Sequence, residues 1–253
     1  MQSDPGNDRS KRSPQSIPGR STQLAEPVSK SQHSHKSTGM YSLGSAALDA
    51  LPSERTVSPL YICWHKAMDF TFALLGTAVL LLILPIMALL IYLDSPGPIF
   101  YKQERVGYQG RNFHILKFRS MRTDAERAQR AMWAARNDTR VTRVGRFLRP
   151  THLDELPQVL NILRGEMSLI GPRPERQVFV EQLEKAFPFY RRRLSVKPGL
   201  TGWAQVNYSY ASTDYEALVK LQYDLYYIKH RSLTLDLLII LKTVVEVLLC
   251  RGR

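Results

Sequence analysis

Between Asp69 and Asp94 lie 24 consecutive residues, Phe70 to Leu93, without one charged side chain. As a single straight helix this run would measure roughly 36 Å, more than a bilayer core of about 30 Å, so the chain reads first as a membrane protein. Pro85 complicates the reading: it removes one intrahelical hydrogen bond and divides the run into fifteen and eight residues, roughly 22 Å and 12 Å long. Neither piece crosses alone. Arg55 and Lys66 precede the run and Lys102, Arg105 and Arg111 follow it, so basic residues flank both ends and set no orientation. A kinked span and a re-entrant hairpin returning to one face both remain open.

Ahead of this segment the composition changes. Residues 1–60 hold thirteen Ser and six Pro, with Tyr41 as the sole aromatic, and such a stretch lacks the apolar surface that offsets the entropy of ordering. A disordered tail is expected over 1–60 and a folded, membrane-embedded domain over 61–253. No apolar run occupies the first thirty residues, which argues against a secretory signal peptide. The chain carries 35 Lys and Arg against 22 Asp and Glu, net +13. A polyanionic partner follows, be it nucleic acid, anionic lipid or a phosphorylated substrate. Two cysteines, Cys63 and Cys250, with no Cys-x-x-Cys, exclude a disulfide framework and a structural zinc site. Any metal must be held by oxygen.

After the apolar run, Asp94-Ser95-Pro96-Gly97-Pro98 must turn the chain. Two strand-like runs, Ile99 to Val106 and Phe113 to Phe118, flank Gly107-Tyr108-Gln109-Gly110 and predict a β-hairpin. Asp124 to Arg136 reads as a polar helix. Leu156, Val159, Leu160 and Leu163 fall at helical spacing ahead of Gly165. Leu233 to Leu249 is apolar but interrupted by Asp236, Lys242 and Glu246, which predicts a helix lying in the membrane interface and not a second span.

The densest charge lies between Lys102 and Arg149, where thirteen basic residues face four acidic ones. A solvated face or an anionic-lipid contact is the ordinary meaning of such a run. Lys117-Phe118-Arg119 suggests more: on a strand Lys117 and Arg119 share one side while Phe118 points to the other, two fixed cations over an apolar anchor, as a phosphate pocket requires. In Thr151-His152-Leu153-Asp154-Glu155, Thr151 and Asp154 match a capping box, which makes Asp154 a helix cap on the plainest reading. A sharper reading uses the divergence of consecutive side chains on a helix: of Asp154 and Glu155, one attacks while the other holds a metal. A carboxylate attacking phosphorus needs the surrounding negative charge neutralised by arginine forks and Mg2+. Arg173, between Pro172 and Pro174, sits where stiff backbone pre-positions a guanidinium. No histidine has metal-site spacing, and no phosphate-binding glycine loop for ATP or dinucleotides occurs.

Seven ordered blocks carry a resemblance: Asp94–Phe100, Gln103–Gly107, Lys117–Met121, Arg140–Arg149, Leu153–Gln158, Met167–Pro174 and Pro198–Tyr208. Together, over roughly Trp64 to Leu249, they resemble the bacterial sugar transferase family, the monotopic phosphoglycosyl transferases that initiate exopolysaccharide and related glycan assembly. The resemblance implies transfer of a sugar 1-phosphate from a nucleoside-diphosphate sugar, a UDP-sugar by expectation, to polyprenyl (undecaprenyl) phosphate through an aspartyl-phosphosugar intermediate. By motif, Asp154 is the implied nucleophile and Glu155 the Mg2+ ligand. Arg149 and Arg173 are the implied phosphate-gripping arginines, with Lys117 and Arg119 lining the same pocket. The family also implies a re-entrant helix, about 66–93, broken at a Ser-Pro pair, which is Leu84-Pro85 here. The Lys-Arg pair that precedes the membrane segment in the family is His65-Lys66 here.

The expected architecture is therefore α+β and mainly helical. It combines a re-entrant helix broken at Pro85, a small β-hairpin and interfacial amphipathic helices on the cytoplasmic face of a bacterial inner membrane. The expected partners are the nucleotide sugar, polyprenyl phosphate and membrane lipid, with Mg2+ as cofactor and no nucleic acid; homo-oligomer formation is left open, as is the identity of the sugar. The competing class is a non-enzymatic membrane adaptor, which would need the positive field but not the Asp154-Glu155 pair.

Overall fold

In the computed structural model, residues 57–123, 139–208 and 214–249 are described. The expected tail, apart from its last few residues, and the polar helix expected over Asp124 to Arg136 lie outside them.

The apolar run forms one long helix, α1, Pro59–Asp94, with Pro at its first turn, where no amide partner is lost. Its helical assignment continues through Pro85. It is the one helix, among the described residues, long and apolar enough to cross a membrane. One stripe of α1 faces the protein: Ala73, Leu80 and Ile91 are buried. The opposite faces leave Phe70, Leu74, Leu82, Ile86, Leu89 and Leu93 exposed, an area far beyond what a soluble monomer shows.

The expected hairpin is present with boundaries within one residue of expectation. Strand β1, Phe100–Val106, pairs antiparallel with β2, Asn112–Phe118, and the register sets Tyr101 opposite Lys117 and Val106 opposite Asn112. Gln109 and Gly110 take positive φ at the turn, which glycine does freely and Gln does at a cost. Both faces of β2 are buried: Phe113 and Ile115 on one side, Leu116 and Phe118 on the other. Phe118 joins Leu80, Ile91, Leu148 and Val159 in one core cluster, and Ile115 joins Ala73, Ile162 and Met167 in the other. Both clusters contain residues of α1, so the long apolar helix packs into the core of the described chain.

A short helix α2, Arg143–Leu148, starts where Thr142 Oγ1 accepts the Gly145 amide at 3.0 Å. Asp94 Oδ2, at the far end of α1, accepts the Val144 amide at 2.7 Å, a carboxylate at a helix N-terminus. Gly145 is required by space: a Cβ there would meet the Ser120 carbonyl.

Next come a 3-10 turn, Leu153–Gln158, and helix α3, Val159–Leu163, closed at Gly165 with positive φ. The capping box expected here does not form. Thr151 Oγ1 donates backward to the Phe147 and Leu148 carbonyls, His152 opens the turn in the left-handed conformation, and Asp154 caps nothing. Fully buried Asn161 locks α3 onto β2, accepting from the Leu116 amide at 3.0 Å and donating to the His114 carbonyl at 2.8 Å.

A second, parallel strand pair, unanticipated from sequence, joins β3, Ser168–Ile170, to β4, Gly199–Thr201. Helix α4, Gln177–Ala186, a 3-10 turn at Tyr190–Ser195, and helices α5, Trp203–Asn207, α6, Asp214–His230, and α7, Leu233–Leu248, complete the described chain. In α7 the polarity is inside out. Asp236 is fully buried, Lys242 donates to Asn207 Oδ1 and lies over the Trp203 ring, while Leu237, Leu241, Val244 and Leu248 are exposed. The interrupting charges therefore face the protein and leave an apolar outer face.

The first half of α1 is tied to α7 and β3 by a buried polar network. Asp236 accepts from Tyr61 at 2.9 Å and Tyr227 at 3.2 Å and pairs with His65 Nδ1 at 3.1 Å. His65 Nε2 lies 3.0 Å from Ser168 Oγ, which donates to Asp69 at 2.9 Å. Thus the His65 ring is engaged within the protein, between Asp236 and Ser168.

Candidate active site

A cavity of about 1650 Å³ lies among α1, the hairpin, the Leu153–Gln158 turn, α6 and α7. Its lining includes all six residues singled out from the sequence, Lys117, Arg119, Arg149, Asp154, Glu155 and Arg173. They differ in what each side chain does there.

Glu155 is the hub. Its Oε1 lies 2.6 Å from Lys117 Nζ and 2.5 Å from Arg173 Nη2, and its Oε2 is 3.3 Å from Arg173 Nη1. Although burial disfavours its charge, these two cations hold the Glu155 carboxyl well below the usual carboxylate range. It is an anion at any physiological pH.

Asp154, its neighbour on the same turn, is buried with 7% exposure and takes part in no side-chain hydrogen bond or ion pair among the described residues. Burial pushes its carboxyl up, the Glu155 charge adds to that, and Lys117, Arg149 and Arg173 pull the other way. The two adjacent carboxylates thus occupy opposite states. One is locked in ion pairs; the other is desolvated and unbonded, the condition of an activated nucleophile or base.

Arg173 is held from outside its own turn. Arg105 Nη1 donates to the Pro174 carbonyl at 3.1 Å, Arg193 Nη2 donates to the Arg173 carbonyl at 2.8 Å, and the Glu175 carbonyl accepts from Val106 at 2.9 Å. Arg193 is itself fixed by a buried pair with Asp224, 2.8 Å, and by Tyr190. Gln205 Oε1 accepts from Arg173 Nη1 at 3.2 Å. Flanking prolines flagged this arginine in the sequence; Arg193, Asp224 and Gln205 carry no such signal, because each reaches it from a distant segment.

Arg149 follows α2 and bears electrostatically on Asp154. Arg119 differs from the expectation. Lys117 and Arg119 do leave β2 on the side opposite Phe118, but the Arg119 guanidinium turns to the end of α1, where Nη2 donates to the Ser95 carbonyl and, at 3.4 Å, to that of Ile91. A cation on the last carbonyls of a helix is a capping contact. Its Nε and Nη1 are buried without partners.

The Mg2+ expectation rests on Glu155. Among the described residues no three His, Cys, Asp or Glu side chains converge into a metal cage. Mg2+ characteristically takes one or two carboxylates and draws its other ligands from phosphates and water. Glu155 and Asp154 are hard-oxygen donors of that kind, with both Glu155 oxygens engaged by Lys117 and Arg173 in this arrangement.

A long apolar helix thus shares its core with a basic cavity in which a carboxylate unpartnered among the described residues adjoins an ion-paired one. The family model for bacterial sugar transferases matches residues 60–250, and the chain belongs to that family. An Aeromonas hydrophila UDP-N-acetylgalactosamine-undecaprenyl-phosphate N-acetylgalactosaminephosphotransferase is 45% identical over 191 residues, which are 76% of this chain and 45% of the relative. A Xanthomonas campestris UDP-glucose:undecaprenyl-phosphate glucose-1-phosphate transferase is 48% identical over 158 residues, 62% of this chain and 33% of the relative. The Rhizobium leguminosarum exopolysaccharide production protein PSS is 40% identical over 193 residues and is matched over 96% of its length. The chain thus spans less than half of the first two relatives.

Proposed function

We propose that this protein transfers a sugar 1-phosphate from a UDP-sugar to undecaprenyl phosphate at the cytoplasmic face of a bacterial inner membrane, starting an exopolysaccharide or related glycan. The observation that carries the reading is the split between Asp154 and Glu155. A buried carboxylate without hydrogen bonds keeps its lone pairs available, and the adjoining ion-paired cluster supplies fixed positive charge for phosphate oxygens.

In the first step an Asp154 oxygen attacks the phosphorus that bears the sugar. The bond to the nucleoside monophosphate breaks, its electron pair leaves with that group, and an aspartyl-phosphosugar remains. In the second step a phosphate oxygen of the lipid attacks the same phosphorus and Asp154 leaves as carboxylate. Arg173, steadied by Arg193, Arg105 and Gln205, holds a fork toward the cavity, and Lys117 and Arg149 add charge on the Asp154 side. Glu155, beside Asp154, would be the residue to hold Mg2+, which would supply neutralisation of the diphosphate charge.

The re-entrant arrangement of α1 belongs to the same proposal. Its first half is bonded to Ser168 and Asp236, its middle packs on Val159, and its end is bonded to Val144 and Arg119. Attachment of both ends of α1 to the rest of the described chain supports an arrangement in which both ends lie on one side of the membrane. The outward apolar faces of α1 and α7 then sit together in lipid.

The test is intact-mass measurement after incubation with UDP-sugars and no lipid. The reading expects release of UMP and a gain of one sugar phosphate, abolished in Asp154→Asn. An adaptor would be indifferent to that substitution, and turnover retained in the variant would sink the nucleophile assignment.

A further inference from the structure

The cavity holds one more cation whose position is informative. Lys117 and Arg173 are paired with Glu155, Arg193 with Asp224, and Arg105 with Glu175 at 3.7 Å. Lys220, on α6, also lines the cavity and is half-buried, yet its ammonium makes no hydrogen bond and no ion pair among the described residues. Its electrostatic neighbours are Glu175, Arg173, Asp224 and Arg193, which places it beside the Arg173 turn. Burial, Arg173 and Arg193 all disfavour its charge. Glu175 and Asp224 favour it without forming an ion pair with the ammonium, and a half-buried cation so placed gains from a ligand that brings an anion into direct contact.

The cavity's two sides differ in chemistry. Trp64, Met68, Phe72 and Leu75 of α1, with Val244 and Leu248 of α7, give one apolar wall continuous with the membrane-facing helices. Near Lys220 the lining carries the pair of Arg105 and Glu175, with Ala217 and Leu221 of its own helix beside it. A polyprenyl chain suits the first and a nucleotide the second. When the first step breaks its bond, the electron pair moves onto an oxygen of the departing nucleoside monophosphate, which becomes a dianion. A cation held in no ion pair among the described residues is suited to that group, and a rotating ammonium follows a departing phosphate more readily than a fixed fork does.

We propose that Lys220 binds the phosphate of the departing nucleoside monophosphate, and so acts on the donor half of the reaction and not on the lipid half. This rests on the transfer reading above and assigns a residue to the step at which the nucleotide leaves. The chemistry of phosphate recognition is shared by donor and lipid, so the measurement must separate the two half-reactions.

The experiment uses the full chain in lipid nanodiscs with Lys220→Met and Lys220→Arg. UMP binding is measured by calorimetry, adduct formation from the UDP-sugar the wild type accepts is followed in single turnover, and transfer of preformed adduct to undecaprenyl phosphate is followed separately. Expected for Lys220→Met are UMP affinity and adduct formation each reduced about 10-fold or more, as for loss of a charge-assisted contact, with lipid transfer unchanged. Lys220→Arg should recover most of both losses, which a merely structural lysine would not require. Unchanged UMP affinity and adduct rate in Lys220→Met would overturn the assignment, as would a defect confined to lipid transfer. If the wild type itself forms no adduct with any UDP-sugar, the transfer reading fails, and UMP binding alone still judges Lys220.

Discussion

The Arg173 guanidinium grips Glu155 two-pronged, Nη2 to Oε1 at 2.5 Å and Nη1 to Oε2 at 3.3 Å, while the neighbouring Asp154 carboxyl is left unbonded. Both carboxylates lie on one 3-10 turn, so the asymmetry comes from side-chain direction: successive residues diverge, and one of the two meets Arg173 and Lys117.

Glu155→Gln should therefore do more than remove a charge. It leaves Lys117 and Arg173 close together without an anion, and the loss of a partly buried pair costs about 3 kcal/mol, at the low end because Arg173 is 38% exposed. Thermal melting should show the destabilisation, and adduct formation should fall by about 100-fold as Arg173 loses its orientation. Unchanged melting and turnover would contradict the hub assignment.

Asp154→Asn should separate stability from activity. Burial raises the Asp154 carboxyl from 3.8 to about 7 in the folded chain. With the folded value above the unfolded one, this group's contribution to stability is whole below about pH 4 and is lost as pH climbs through 7. The variant should melt at least ~3 °C above wild type at pH 8 and equal to it at pH 4, while adduct formation by the wild type rises with pH across 7. A melting difference independent of pH would show that the carboxyl is not held in this state.

Arg193→Met strands buried Asp224 and releases the Arg173 carbonyl. A loss of about 3–5 kcal/mol in denaturant unfolding is expected. Adding Asp224→Leu should restore most of the stability but not the activity, because Arg173 stays untethered. Full recovery of turnover in the double variant would make Arg193 structural alone.

Replacing Gly145 by Ala places a Cβ against the Ser120 carbonyl, which is backbone and cannot swing aside. Overpacking of this kind costs about 1–3 kcal/mol, and loosening α2 should also weaken the Arg149 side of the site. Equal melting points would show that the 120 and 145 segments separate freely.

Single cysteines at Ser58 and Pro96, exposed positions at the two ends of α1, report its topology in a background where Cys63 and Cys250 are serine. The re-entrant arrangement expects both to be modified from the cytoplasmic side of spheroplast membranes. Labelling of one from each side would instead establish a span.

The hairpin was legible because two strand-like runs flank a glycine-bearing turn; that both faces of β2 are buried, Phe113 and Ile115 in one cluster and Phe118 in the other, depended on packing. The apolar helix was legible from length alone. The parallel pair β3 and β4 was not, since three-residue strands 31 positions apart leave no periodic signal. The capping box failed because Thr151 finds carbonyls behind it before an amide ahead. Arg119 shares a strand side with Lys117, but the end of α1, brought there by packing, takes its guanidinium.

The order of residues by itself determined that this chain carries an apolar run long enough to cross a bilayer, that a basic cluster precedes an adjacent pair of carboxylates, and which family it belongs to, because apolar runs, charge and motif spacing are properties of neighbours along the chain. Only the tertiary structure decided which carboxylate is paired and which is unbonded, and that Arg193, Asp224, Gln205 and Lys220 surround Arg173. Burial and ion pairing depend on what segments far apart in sequence bring to the same few ångströms.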